Sequence, residues 1–314
     1  MASIEIGSNS IRMLIAEQGA AGTPLIPILR KRAITRLGQD FNKNRSGTLK
    51  PGPTARSIAT LKEFLGIAYR LGVTSPIAVA TGVVREATNR DSFITLMAKK
   101  LKCEVRVISG QEEARLTEMG VLSSFNPRPQ SVGIFDLGGG STEFILSNKG
   151  KTTYVSVPLG VVTSMETYLA NDPPRDQEIR RLSNHIQDTC NTKLFELKEL
   201  RSEESVLLGT GGTVVTVGAI IHGVSGNNFS EESLHGLSIG KKTAEKLFEN
   251  LKDMPAAERL GTVGLEPGRE DIILPGTLMI VKFMDYFRKN EIIVSYSDLL
   301  EGILIQYTEG ARDG

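Results

Sequence analysis

Ile134-Phe135-Asp136-Leu137-Gly138-Gly139-Gly140-Ser141-Thr142 decides the fold once it is set beside Ile4-Glu5-Ile6-Gly7-Ser8-Asn9-Ser10. Each stretch is a short apolar strand with one carboxylate, followed by glycine and hydroxyl-bearing residues. Each leads into a second β-type run, Ile11 to Ala16 and Glu143 to Leu146, so each reads as a hairpin. An echo of this kind predicts two similar halves, each opening with its hairpin, and a cleft between them. A single acidic-glycine-hydroxyl turn is common, and the weight lies in the repetition.

The segments beyond the hairpins fit that frame. In the first half, Ile77 to Ala80 and Val105 to Ile108 read as strands. After Pro53, apolar residues at Ile58, Leu61, Leu65, Ala68 and Leu71 form a helical stripe, and Asp91 to Leu101 reads as a further helix. Phe125-Asn126-Pro127-Arg128-Pro129 is a plausible linker. In the second half a helix is expected over Asp176 to Leu197, and a buried strand at Val206 to Leu208 that runs into a turn over 209–213. A late strand at Ile292 to Val294 and a final helix from Leu299 to Tyr307 follow. Strands alternating with helices in both halves argue an α/β class.

The chain has 314 residues, about twice the usual single-domain length, which agrees with two cores. Its 37 basic and 36 acidic residues leave a net charge of +1, so no global polyanion signature exists. Two cysteines cannot build a disulfide framework and suit a reducing, cytoplasmic setting. Three histidines without a short-spaced pair make a histidine metal centre a poor reading. Glu5 and Arg12 interrupt the apolar N-terminus, which is not read as a signal peptide. The least polar window, Val206 to Val224, is broken by five glycines and is not read as a membrane span.

Three glycine-hydroxyl turns follow apolar strands, at 7–10, 138–142 and 209–213. Glycine lets backbone N–H groups converge on an anion, and hydroxyls add donors. Any one of them alone reads as a bend. Together, with Glu5 and Asp136 on the preceding strands, they point to a phosphate chain held with a divalent cation such as Mg²⁺. No Gly-x-x-x-x-Gly-Lys-Ser/Thr loop and no dinucleotide-type Gly-x-Gly-x-x-Gly is present. Ser109 and Glu112 form a capping-box pattern, which gives Glu112 a structural task and leaves Glu113 as a candidate base for water attacking phosphorus. Both glutamates equally suit a helix dipole. Arg85 could offset charge on a transferring phosphoryl group or pair at the surface with Glu86 or Asp91. Glu143 could orient metal or water, or face solvent. Residues 30–56 hold eight basic residues (Arg30, Lys31, Arg32, Arg36, Lys43, Arg45, Lys50, Arg56) against Asp40 alone. That stretch reads as a polyanion track or as a solvated loop face. With Phe41 as its one aromatic it does not support a base-stacking nucleic-acid site.

These residues resemble the exopolyphosphatase and guanosine pentaphosphate phosphatase (Ppx/GppA) family. The resemblance is carried by 4–14 (IEIGSNSIRML), 80–91 (ATGVVREATNRD), 107–115 (VISGQEEAR), 135–144 (FDLGGGSTEF), 157–161 (VPLGV), 209–213 (GTGGT) and 268–276 (GREDIILPG). It implies a duplicated actin-like, sugar-kinase-like (ribonuclease H-like) fold of two domains around a cleft, in a short two-domain form. The expected domains are 1–124, with a helix at about 300–314 as a candidate to return to it, and 125–299. The resemblance further implies Glu113 as the base that activates water, Glu143 assisting it near Mg²⁺, and Asp136 in the metal site, with Glu5 beside it. Arg85 matches the family's cleft arginine. Ser8, Asn9 and Ser10 would hold phosphate from one side and Gly138, Gly139, Gly140, Ser141 and Thr142 from the other. Gly209, Thr210, Gly211, Gly212 and Thr213 would line the further reach of the chain. K⁺ as activator and a homodimer stay open, and no specific nucleic-acid or membrane partner is expected.

Two departures from the family's pattern stand out. Glu5 stands where aspartate is usual, and Asp298 and Leu300 replace the glycine and arginine expected in the late 294–302 stretch. The second departure bears on the final helix. The leading expectation is a Mg²⁺-dependent exopolyphosphatase acting through a Glu-activated water. The alternatives are a guanosine pentaphosphate 5′-phosphohydrolase and a non-catalytic sensor of guanosine tetraphosphate or polyphosphate.

Overall fold

The structure, a computed structural model, describes residues 1–19, 25–41, 47–148, 150–226 and 229–310. Lys43 and Arg45 of the basic stretch and the last four residues of the expected 300–314 helix lie outside the described residues. The chain divides into two compact units, Met1–Asn126 with Asp298–Gly314, and Pro127–Ser297.

In the first unit β1 (Ala2–Ile6), β2 (Ser10–Glu17) and β3 (Ile26–Ile34) form an antiparallel meander. β4 (Ile77–Ala80) and β5 (Val105–Val107) continue the sheet in parallel from β1, in the order β3-β2-β1-β4-β5. β1 is paired on both sides and all of it is buried, as a central strand covered on both faces requires. β3, at the edge, carries Arg30, Lys31 and Arg32, the kind of charge that discourages edge-to-edge pairing. α1 (Pro51–Arg70) starts on proline, which is pre-organised for a first turn, and buries Leu61, Phe64, Leu65 and Ala68 along one stripe. α2 (Gly82–Glu86), α3 (Arg90–Leu101) and α4 (Gly110–Ser123) complete the run before the chain passes to the second unit.

In the second unit β6 (Ser131–Leu137), β7 (Thr142–Asn148) and β8 (Lys151–Val157) form the meander. α5 (Val161–Tyr168) and α6 (Asp176–Lys193) lead to β9 (Val206–Thr210), which lies parallel to β6. α7 (Gly212–His222), α8 (Glu231–Leu234), β10 (Ser238–Gly240), α9 (Lys241–Lys252), α10 (Ala256–Arg259), α11 (Ile273–Phe287) and β11 (Glu291–Val294) follow. The order is β10-β11-β9-β6-β7-β8, so β8-β7-β6-β9-β11 repeats the first unit's β3-β2-β1-β4-β5 strand for strand, with β10 added at the edge. The duplicated α/β fold expected from the hairpin echo is therefore present as a duplicated topology. Phe135, Phe144, Phe283 and Phe287 pack at its centre, with Phe144 and Phe283 edge-to-face at 4.9 Å. The chain returns to the first unit as α12 (Leu299–Gly310).

Several local expectations change. The helix expected to Leu197 stops at Lys193 and gives way to a 3₁₀ turn over Phe195–Arg201. Leu194, Leu197 and Leu200 are all fully buried, a three-residue spacing that matches three residues per turn. The expected turn over 209–213 is narrower. β9 runs through Thr210, and α7 begins at Gly212, leaving Gly211 as the bend.

Candidate active site

In the first unit, β1, β4 and β5 are parallel and end on one edge of the sheet, where α/β folds place ligands. The β1–β2 turn sits there. Gly7 N–H donates to the Ser10 carbonyl at 3.0 Å, and the Asn9 carbonyl accepts from Thr35 and Arg36 N–H at 3.0 and 2.8 Å, which pins the turn. Ser8 Oγ accepts from Val83 N–H at 3.1 Å. Among the described residues no acceptor meets the backbone N–H of Ser8 or Asn9. Asn9 is buried, yet its side-chain Nδ2 has no partner.

Arg85, on α2 after β4, donates to Glu113 Oε2 at 2.6 Å and to the Ile108 carbonyl at 3.2 Å. Two candidate catalytic residues are thus joined. The surface partners considered for Arg85 are not the ones it takes, and Asp91 pairs with Arg90 instead. Ser109 Oγ caps α4 by accepting from Glu112 N–H at 3.1 Å. The reciprocal half of the expected capping box is missing, because the Glu112 carboxylate pairs with Arg106. Glu113, the next residue, is only 5% exposed.

Glu5 has a partner the sequence reading did not name. Arg12 lies directly opposite it on β2 and donates through Nε to Glu5 Oε2 at 2.7 Å. The same guanidinium also pairs with Asp298. The Glu5 carboxylate, a candidate metal ligand by resemblance, is here one end of an ion-pair network, with its Oε1 accepting from Thr81 at 3.4 Å. Asp298 in turn starts α12. Its Oδ1 accepts from Leu300 N–H at 2.9 Å, and Glu301 Oε2 accepts from Asp298 N–H at 2.8 Å. The departure in the 294–302 stretch therefore leaves the final helix intact. Glu301 pairs with Arg30, and its carboxyl is pushed up to about 7, chiefly by burial and further by the Asp298 charge, against the pull of Arg30.

The second unit repeats the turn. Gly138 N–H donates to the Ser141 carbonyl at 3.0 Å, the counterpart of Gly7 to Ser10. The first amides of α5 hold the loop from behind, Val161 to the Gly138 carbonyl at 3.0 Å and Val162 to the Gly139 carbonyl at 2.9 Å. Among the described residues the N–H groups of Gly139 and Gly140 meet no acceptor. Asp136 and Glu143 are register partners on β6 and β7, so their side chains share one face. Glu143 Oε1 accepts from Ser141 Oγ at 2.8 Å and from its β8 partner Ser156 at 2.9 Å. Gly211, at φ 92°, lies against Asp136. A Cβ there would come within 2.6 Å of Asp136 Oδ1, so only glycine fits.

Not every residue of the three turns points outward. Thr142 donates its hydroxyl to the Leu159 carbonyl, and Thr210 donates to the Ser295 carbonyl at 3.1 Å; both are fully buried. Gly209 is a sheet position packed on Phe135, and Thr213 is buried against Gly276. Ser10 belongs to β2, and Gly212 opens α7. Two buried carboxylates on one face, beside a position kept clear by Gly211, fit a hard oxygen-seeking ion such as Mg²⁺. Such an ion would take its other oxygens from water and phosphate. No group of three metal-binding side chains occurs among the described residues. The residues missed by sequence reasoning are Arg12, Ser156 and the Asp298–Glu301 pair. Arg12 and Ser156 were legible in the strand registers, whereas nothing local ties 298–301 to β2 and β3.

A sequence model of the Ppx/GppA phosphatase family matches residues 14–309. A bifunctional 3-dehydroquinate synthase/phosphatase from Fusobacterium nucleatum is 32% identical over 98% of this chain, which spans only 46% of that protein. Exopolyphosphatase 2 of Mycobacterium tuberculosis is 28% identical, over 97% of each chain. A crystal structure of an Aquifex aeolicus Ppx/GppA family member superposes with a TM-score of 0.79 at 29% identity, covering 99% of this chain and 97% of that one. The two repeated sheets and this likeness give a two-domain actin-like fold.

Proposed function

We propose, because the chain belongs to the Ppx/GppA phosphatase family, that it removes the terminal phosphate of inorganic polyphosphate by Mg²⁺-assisted attack of water. Phosphoanhydride hydrolysis is the chemistry of that family. The observation that carries the reading is the pair of like-built turns, each closed by a glycine N–H on a serine carbonyl at 3.0 Å and each presenting backbone N–H groups without acceptors. Such donors suit the charge-rich oxygens of a phosphate chain. In the first unit, Ser8 and Asn9 donate to phosphate, and Glu113, oriented by Arg85, takes the proton from the attacking water. In the second, Gly139 and Gly140 donate to phosphate, while Asp136 and Glu143 would hold Mg²⁺. When bound, that ion neutralises developing charge on the phosphoryl oxygens.

Polyphosphate is favoured over guanosine pentaphosphate by the likeness to an exopolyphosphatase over 97% of each chain. The basic stretch contributes less than its charge suggests. Arg30 is spent on Glu301, Lys50 on Asp40 at 3.0 Å, and Arg56 on the Thr35 carbonyl at 3.0 Å. Two free, buried cysteines support a cytoplasmic setting.

The test is phosphate release with Mg²⁺ from long-chain polyphosphate and from guanosine pentaphosphate at matched terminal phosphate. Polyphosphate should be preferred, and Glu113→Gln should lower kcat by about 10²–10⁴-fold with KM changed far less. Preference for the nucleotide would assign the second substrate instead. Binding without release by the unmodified protein would make it a sensor, and undiminished release by the variant would remove Glu113 as the base.

A further inference from the structure

Outside the turns, the second unit holds a cavity of about 340 Å³ lined by Gln187, Cys190, Asn191, Arg201, Lys282, Asp285, Tyr286 and Arg288. Its walls are α6, the 3₁₀ turn after it, and the last turns of α11. Neither the sheet edge nor any residue assigned above belongs to it.

Its charge is one-sided. Arg201, Lys282 and Arg288 bring three cations, and the single carboxylate, Asp285, is already paired with Lys241 outside the cavity. That pairing is what raises Lys241 above the ordinary lysine range. The side chains of Lys282 and Arg288 have no hydrogen bond or ion pair among the described residues, and the same holds for the side-chain amides of Gln187 and Asn191. Gln187 and Asn191 are four residues apart on α6 and so share a face. Three converging cations and two free amides in a near-neutral chain form a concentrated anion-attracting feature.

The cavity is also held in shape. Arg201 donates through Nε to the Tyr286 carbonyl at 3.0 Å, and its guanidinium carbon sits 4.6 Å from the centre of the Tyr286 ring. The next turn is fixed by buried Lys289, which bonds the carbonyls of Ser202 and Ser205. Arg201 is therefore presented from a fixed backbone, and a preformed site loses less entropy on binding. Cys190 adds no reactivity, because burial pushes its thiol up to about 12.

We propose that this cavity binds a small phosphate-bearing polyanion as a second ligand site, separate from the phosphate-holding turns. Planar guanidinium groups at Arg201 and Arg288 match paired phosphate oxygens, Lys282 supplies a point charge, and the α6 amides meet the remaining oxygens. The volume suits two or three linked phosphates or one nucleotide's phosphate tail. The site does not depend on the hydrolase reading, since it uses none of that machinery.

Calorimetric titration tests it with two hydrolysis-resistant probes, imidotriphosphate and guanosine 5′-(β,γ-imido)triphosphate. The unmodified protein is compared with Lys282→Gln/Arg288→Gln and, independently, with Asn191→Asp. The expected result is one binding event weakened by about tenfold or more in both variants, with hydrolytic kcat unchanged. Loss for imidotriphosphate alone identifies an inorganic oligophosphate ligand, and tighter binding of the guanosine probe identifies a nucleotide. Unchanged affinity and stoichiometry for both probes, in variants with an unchanged melting temperature, would overturn the proposal.

Discussion

Asn9 carries a buried amide nitrogen with no partner, a state that ordinarily costs about 1–3 kcal/mol. A phosphate bound at the turn would give it an acceptor. Asn9→Ala is therefore expected to leave the melting temperature unchanged or raise it, while KM for polyphosphate rises several-fold. A drop in melting temperature with unchanged KM would make the amide structural. Glu301 has the opposite character, a carboxyl tied into the fold whose pKa is raised to about 7 from an ordinary 4.5. Because the folded state holds this proton more tightly, its contribution is full below about pH 4.5 and is lost as pH rises toward 7. The loss is at most about 3 kcal/mol. Urea unfolding across pH 4.5–7 should show Glu301→Gln gaining on the unmodified protein as pH rises. A gap independent of pH would refute the assignment. The glutamate at 113 was legible as a candidate because Ser109 marks a helix start, but its pairing with Arg85 was not. The two residues come from different strand-helix junctions, and only the parallel placement of β4 and β5 joins them.

β1, β2 and α12 are fastened by one guanidinium. Arg12 faces both Glu5 and Asp298, so two of the three residues read as departures from the family's pattern share a partner. A longer acid on β1 and an added acid at the start of α12 meet the same cation, and the helix gains its cap in the process. Arg12→Leu leaves two buried carboxylates uncompensated, which should cost about 3–5 kcal/mol in urea unfolding. Adding Asp298→Ala to that variant should cost less than the two changes summed, because they remove one network. Strict additivity would mean that Arg12 and Asp298 act independently. Nearby, α12 crosses α4 through facing glycines. A Cβ at Gly120 would fall 1.8 Å from the Asp298 carbonyl oxygen, and one at Gly302 the same distance from that of Leu116. Neither glycine sits in a turn, so their task could not be read from local sequence pattern.

Each unit's strand order makes its own demand on the chain. The second unit is continuous from Pro127 to Ser297, whereas the first is completed only by the segment from Asp298 onward. Leu299 and Ile303 of α12 pack with Val79, Ile108 and Leu116, while Leu300 and Leu304 cover Leu14 and Ala16. Truncation after Ser297 should therefore expose that surface and abolish the first unit's calorimetric transition while retaining the second's. A single unfolding transition lost as a whole would show that the units do not unfold separately. The two strand-turn-strand hairpins and the α/β alternation were readable along the chain, because strand period, glycine placement and capping residues act over a few neighbours. The long-range partners of the charged groups, Arg12 with Asp298, Arg85 with Glu113, and Arg30 with Glu301, were settled by folding in three dimensions. Their energetics depend on burial and on contacts between strands and helices far apart in sequence, where desolvation makes an unmatched charge costly and so selects its partner.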